Sequence, residues 1–125
     1  MYYFIGEKRS EQAMKNGWHW EDNVSTAKFL LDCLKEVGIT QKDIKFYNLW
    51  LDDGRLDSIL LDGLCYMSNN LPQCIVVGMG NIVCNKLDEE EVKHIKIIHP
   101  AARGKIRKKE NYIAHLRENL AGVVE

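Results

Sequence analysis

The chain has 125 residues, 46% of them hydrophobic and 28% charged, the balance of a folded globular protein and not of a disordered one. That length fits one domain, read here as residues 1–125. With 17 basic and 18 acidic residues the net charge is −1, which excludes a globally basic nucleic-acid coat and leaves only a local patch for such contact.

Residues Tyr2 to Ile5 form an apolar, aromatic run ending at Gly6 and read as a buried strand. A polar stretch follows from Glu7 to Asn23, with three ring side chains in a row at Trp18, His19 and Trp20. The spacing of Ala27, Leu30, Leu31, Leu34 and Val37 predicts a helix from about Ser25 to Val37, stopped by Gly38. Ile44 to Leu49 reads as a second strand, followed by a turn at Asp52-Asp53-Gly54. A second helix is expected from about Leu56 to Met67, with Leu56, Ile59, Leu60, Leu64 and Met67 on its inner face. Asn69, Asn70 and Pro72 break it. Cys74 to Val77 reads as a third strand, closed by Gly78-Met79-Gly80. A short helix through Ile82 and Leu87 runs into the acidic residues Asp88 to Glu91. Ile95 to Ile98 is a fourth strand, ending at His99-Pro100. The last helix is expected from about Lys105 to Leu120, with Ile113, Leu116 and Leu120 facing inward.

Strands alternating with helices imply parallel pairing through right-handed crossovers. The fold class expected is α/β: a three-layer α/β/α sandwich around a four-stranded parallel sheet. No apolar run is long enough to span a bilayer, and the first six residues lack the pattern of a signal peptide. A cytoplasmic protein with no membrane partner is therefore expected. Cys33, Cys65, Cys74 and Cys84 show no C-x-x-C pair and read as isolated, mostly buried thiols, with no metal and no cofactor implied.

Ligands of open parallel sheets bind beyond the carboxyl ends of the strands. Here those ends deliver Gly6, Glu7, Lys8 and Arg9, then Asn48 and Trp50, then Gly78-Met79-Gly80, then His99. Gly6 lets a backbone approach a ligand closely. Glu7 is suited to accept a proton, orient a water or stabilise a developing cation. Asn48 carries the donor and acceptor that reading a base edge requires. His99 can donate to a developing oxyanion, and Trp18 or Trp20 can stack on a planar ring. Arg103, Lys105, Arg107, Lys108 and Lys109 form a basic cluster at the expected start of the last helix. Basic charge there opposes the helix dipole, so helix stability does not explain it; a solvated basic face or phosphate contact does. The acidic run Asp88 to Glu91 largely offsets this cluster in the overall charge.

These residues resemble the motifs of the uracil-DNA glycosylase superfamily. Phe4-Ile5-Gly6-Glu7 resembles the first motif, and Gly17-Trp18-His19-Trp20 stands where a base-stacking aromatic is found. Phe46-Tyr47-Asn48-Leu49 resembles the strand ending in Asn, and Ile97-Ile98-His99-Pro100-Ala101 the closing His-Pro-Ser motif with Ala for Ser. The resemblance implies that Glu7 and His99 are catalytic. Asn48 would read the base edge and Trp18 or Trp20 would stack on the base, beside Gly6; independently of the resemblance, the basic cluster offers Arg103, Lys105 and Arg107 as phosphate-binding residues. Lys8-Arg9-Ser10 replaces the proline-containing loop of the family, and the cysteine spacing of the iron–sulfur type is absent, so no cluster is expected. Ile106 is the one apolar side chain in the place of the base-flipping wedge. The implied activity is cleavage of the N-glycosidic bond of a pyrimidine in DNA or a nucleotide. The alternative is a catalytically lapsed module of the same fold that binds DNA or a nucleotide. A third reading, from the near-zero net charge, is an interaction protein with no nucleic-acid role.

Overall fold

The computed structural model describes residues 1–120. Four strands form one all-parallel sheet: β1 (Tyr2–Gly6), β2 (Ile44–Asn48), β3 (Ile75–Met79) and β4 (Ile95–Ile97), in the order β2-β1-β3-β4. Five helices accompany them among the described residues: α1 (Glu11–Asn16), α2 (Thr26–Glu36), α3 (Ser58–Asn70), α4 (Asn81–Glu89) and α5 (Lys109–Leu120). The chain leaves β1 for β2 on one side, then returns past β1 to build β3 and β4 on the other. The reversal lies between β1 and β3, the place where such sheets open a crevice at their carboxyl edge.

Strand pleating sorts the apolar residues onto two faces. Phe4, Ile44, Phe46, Val77, Met79 and Ile97 point to one core, where α2 supplies Leu30, Leu31 and Leu34 and α5 supplies Tyr112, Leu116 and Leu120. Ile5 and Val76 point to the other, where α3 supplies Leu61 and Leu64 and α4 supplies Val83 and Leu87. The sheet is thus covered on both sides, which is why its central strands β1 and β3 are apolar without alternation, while the edge strands β2 and β4 expose Lys45 and Lys96.

Several sequence expectations are corrected. The polar stretch from Glu7 to Asn23, for which no element was expected, holds two: Ser10 caps α1 by accepting from the Ala13 N–H at 3.1 Å, and Trp20–Asp22 is a 3₁₀ turn. α3 starts at Ser58, capped by Asp57, and Leu56 instead bridges back to Trp50. Ile59 is 86% exposed, and Leu61 takes the inward position. Both fit every-third-or-fourth spacing, so periodicity alone does not choose between them. Gly78 lies inside β3 and not beyond it; a Cβ there would stand 2.8 Å from Cys84 Sγ and 3.1 Å from Leu87 Cδ1. Its bare backbone lets α4 pack closely on the strand.

The last helix begins at Lys109, not Lys105. Lys105–Arg107 is a 3₁₀ turn and Lys108 is extended, with ψ of 131°. Arg103, Lys105 and Arg107 therefore precede the helix instead of crowding the positive end of its dipole; of the cluster only Lys109 lies within it, with Glu110 beside it in the first turn. Tyr112 is buried on the inner face, with Ile113 at its margin. Cys33 and Cys84 are buried and Cys65 and Cys74 partly so, all as free thiols; burial pushes the Cys84 thiol up to about 11. Among the described residues no helix is long and apolar enough to cross a membrane.

Candidate functional site

A cavity of about 190 Å³ opens at the carboxyl edge of the sheet. Glu7, Trp18, Trp20, Asn48 and His99 all line it, from four separate stretches of sequence. Glu7 follows β1, Asn48 ends β2, and His99 follows β4. Gly6 lies beneath, paired with Asn48 across the β1–β2 ladder. Ligand pockets commonly measure about 300–1,000 Å³, so this one suits a single ring with its substituents outside.

Each side chain is held by identifiable contacts. Trp20 stacks on Phe46, ring centroids 5.2 Å apart and planes 11° from parallel. Its indole Nε1–H donates to Asn48 Oδ1 at 3.1 Å. Gly6 makes room for this pair: a Cβ on it would stand 2.8 Å from Asn48 Oδ1 and 3.2 Å from the indole. Trp20 is therefore anchored by one face and by its nitrogen edge. Trp18 lines the same cavity without such an anchor among the described ring contacts.

His99 is partly buried, and burial pushes its pKa below the ordinary 6.5 against the opposing pull of Glu7. It is neutral at pH 7. The Ala101 N–H donates to its Nδ1 at 3.0 Å, so the ring proton resides on Nε2. A neutral imidazole with a donor N–H at a cavity wall can bind a developing anion without first shedding a proton. Gly80, at a φ of 89°, lets β3 turn into α4 beneath it, and a Cβ there would come within 3.3 Å of His99 Cβ.

Sequence reading did not single out Arg9. Its guanidinium forms a two-pronged ion pair with Asp52 and donates to the Trp18 carbonyl at 3.2 Å. It ties the loop after β1, the Trp18 segment and the turn after β2 together at the cavity rim. The guanidinium beside Asp52 holds that carboxyl below its ordinary range. No local pattern predicts a partner 43 positions away. The place of the start of α2 in the cavity wall was also missed: Ser25 and Thr26 line the cavity, and Ser25 adopts a φ of 54° to bring the helix in.

Arg103, Lys105 and Arg107 do not line the cavity. They are exposed on the segment that begins two residues beyond Ala101, which does line it. Among the described residues none of the three forms an ion pair. No group of three metal-ligating side chains occurs among the described residues. No protein-family model matches the chain, and no curated protein matches it.

Proposed function

We propose that this chain is a small uracil-DNA glycosylase-like protein, with the three-layer sandwich of that superfamily, acting on the N-glycosidic bond of a pyrimidine base in DNA or a nucleotide. The observation that carries this reading is the shared cavity: Glu7, Trp18, Asn48 and His99 meet around a space the size of one ring. In this reading Trp18 stacks on the base and the Asn48 amide meets its edge. The bond from base to sugar lengthens, charge leaves the sugar as an oxocarbenium-like cation, and the electron pair goes to the base. Glu7 orients the attacking water or shields that cation. The His99 Nε2–H donates to the carbonyl oxygen on which the base's negative charge collects. Arg103, Lys105 and Arg107 hold flanking phosphates outside the cavity.

The test is release of free base from single-stranded and duplex oligonucleotides carrying uracil or other pyrimidines. Loss of one oxyanion donor costs about 10²–10³ in rate, so His99→Ala is expected to slow release by that factor, and Glu7→Gln by at least as much. Undetectable release from every substrate, or release unaffected by both substitutions, overturns the enzymatic reading. Salt-sensitive binding without release would instead favour the lapsed binding module, to which the three exposed basic residues are equally suited.

A further inference from the structure

Trp50 follows the end of β2 by two residues, yet it does not line the cavity. The backbone pairing of β1 with β2 runs on past both strands: the Leu49 N–H donates to the Gly6 carbonyl at 2.8 Å and the Trp50 N–H to the Glu7 carbonyl at 3.0 Å. Trp50 is thereby fixed one hydrogen bond from Glu7. It is half-buried, bridged to Leu56 and packed against the core beneath α3 and α4. It also lines a second hollow, of about 240 Å³, with Glu7, Lys8 and Gly54. Gly54 has a φ of 89° and open space where a Cβ would stand, so that part of the wall is bare backbone. Glu7 and Lys8 line both spaces and are the wall the two share. Around that wall Arg9 is spent on Asp52 and Arg55 on Asp53, whereas Lys8 is exposed and forms no ion pair among the described residues. The Glu7 carboxylate is the anion of the shared wall, and the proposed reaction sets it at the sugar. An indole, a cation and a second indole thus follow one another across the carboxyl edge of the sheet. A nucleic-acid strand presents base, phosphate and base in the same order.

We propose that Trp50 is a second stacking platform, so that the site takes two neighbouring nucleotides of a single strand. One base enters the cavity, the phosphate between the two lies on Lys8, and the next base stacks on Trp50. The proposal rests on the base-binding reading above and names its substrate class. In a duplex each base is paired and stacked on its neighbours, and laying two adjacent bases on separate rings breaks both arrangements. The unpaired bases of a single strand splay onto aromatic side chains without that cost. Every base has a π-face, so the second position accepts any base.

The experiment is a nuclear magnetic resonance titration of the whole chain with three probes. They are a 2′-fluoro-2′-deoxy pyrimidine nucleoside, that nucleoside joined through a phosphodiester to an abasic residue, and the dinucleotide with a base in place of the abasic residue. The linkage is tested on the 3′ and on the 5′ side, with uracil and with cytosine as the first base. The fluorine opposes the positive charge that an oxocarbenium ion needs, so the probes resist cleavage. In one of the two linkages the second base is expected to tighten binding about 5- to 150-fold over the abasic form. Trp50→Leu is expected to abolish that gain and to bind the nucleoside alone as the wild-type protein does. The Trp50 indole N–H resonance, identified by its loss in that variant, should move with the dinucleotide and not with the abasic probe. Lys8→Ala should flatten the salt dependence of the abasic probe by about 0.7 in slope. A second base that adds nothing in either linkage overturns this inference alone. So does a gain that survives Trp50→Leu, or a salt slope untouched by Lys8→Ala. Binding of none of the probes overturns it together with the base-binding reading. The wild-type comparison of dinucleotide with abasic probe stands even if the Trp50 variant does not fold.

Discussion

At Gly6 a missing Cβ decides whether the cavity has a floor. Trp20 and Asn48 cross above this residue; a methyl group placed there would collide with the Asn48 oxygen at 2.8 Å and crowd the Trp20 ring at 3.2 Å. Neither can easily give way, since Trp20 is stacked on Phe46 and Asn48 ends a paired strand. Gly6→Ala is therefore expected to cost about 1–3 kcal/mol, the usual range for overpacking. A lowered urea midpoint with altered tryptophan emission would record it; an unchanged midpoint would mean that the pair has room to shift. His99 makes a second prediction at this scale. Burial sets its folded pKa below the unfolded 6.5, so the protein binds fewer protons folded than unfolded. The stability it contributes is present above pH 6.5 and is lost as pH falls through the lowered value. Protonation also sets a ring N–H against the Ala101 N–H that now donates to Nδ1. A proton titration of the His99 ring by magnetic resonance should show a midpoint below 6.5, with the fold loosening over the same acid range. A midpoint at or above 6.5 would remove the argument for a neutral His99.

At the scale of elements, α5 controls a strand end that the sheet alone holds weakly. β4 has three residues and pairs on one side only. The Tyr112 hydroxyl donates to the Ile98 carbonyl, and the Ile98 N–H donates to His115 Nε2 at 2.9 Å. Both polar backbone groups of the residue before His99 are thus satisfied by one helix. Tyr112→Phe removes one of these bonds and keeps the ring, which packs against Phe29 with centroids 5.3 Å apart. The expected loss is about 0.5–1.5 kcal/mol, the net worth of one hydrogen bond. Hydrogen exchange should quicken most around residues 98–102, and uniform quickening across the chain would argue against a local role. Sequence periodicity could place α5 but not this function. Tyr112 is half polar and joins no apolar pattern, so it was not expected inward, whereas Ile113 was and does pack against the core. The start of α5 was misread because a run of basic residues carries no signal for the extended Lys108 that interrupts it. By contrast α2 was legible to within a residue, since its apolar stripe is long and Gly38 ends it.

At the scale of the whole molecule, the alternation of helices with apolar strands made parallel pairing readable in advance. Strand order was not readable, because which neighbour each strand takes is settled by tertiary packing. The candidate site was legible in Glu7, Asn48 and His99, each a polar residue punctuating an apolar strand. It was illegible in Arg9 and in the Trp20–Asn48 bond, which join distant segments. Net charge needed the structure most. The acidic run from Asp88 to Glu91 is not simply a counterweight to the basic cluster: Lys86 already pairs with Glu89 at 3.3 Å and Glu90 at 3.4 Å. Arg103, Lys105 and Arg107 have no such partners among the described residues. A chain of net charge −1 therefore still presents, among the described residues, three exposed cations without an ion pair on the segment that follows the cavity wall. Counterion release gives this a measurable form. Each phosphate neutralised on a single strand adds about 0.7 to the slope of log affinity against log salt. Replacing all three with Ala should weaken binding of a single-stranded oligonucleotide at low salt and flatten that slope by about 2. Because the three side chains are exposed, the same variant should keep its urea midpoint, as surface substitutions usually do. An unchanged slope with intact folding would show that these cations face solvent and not phosphate.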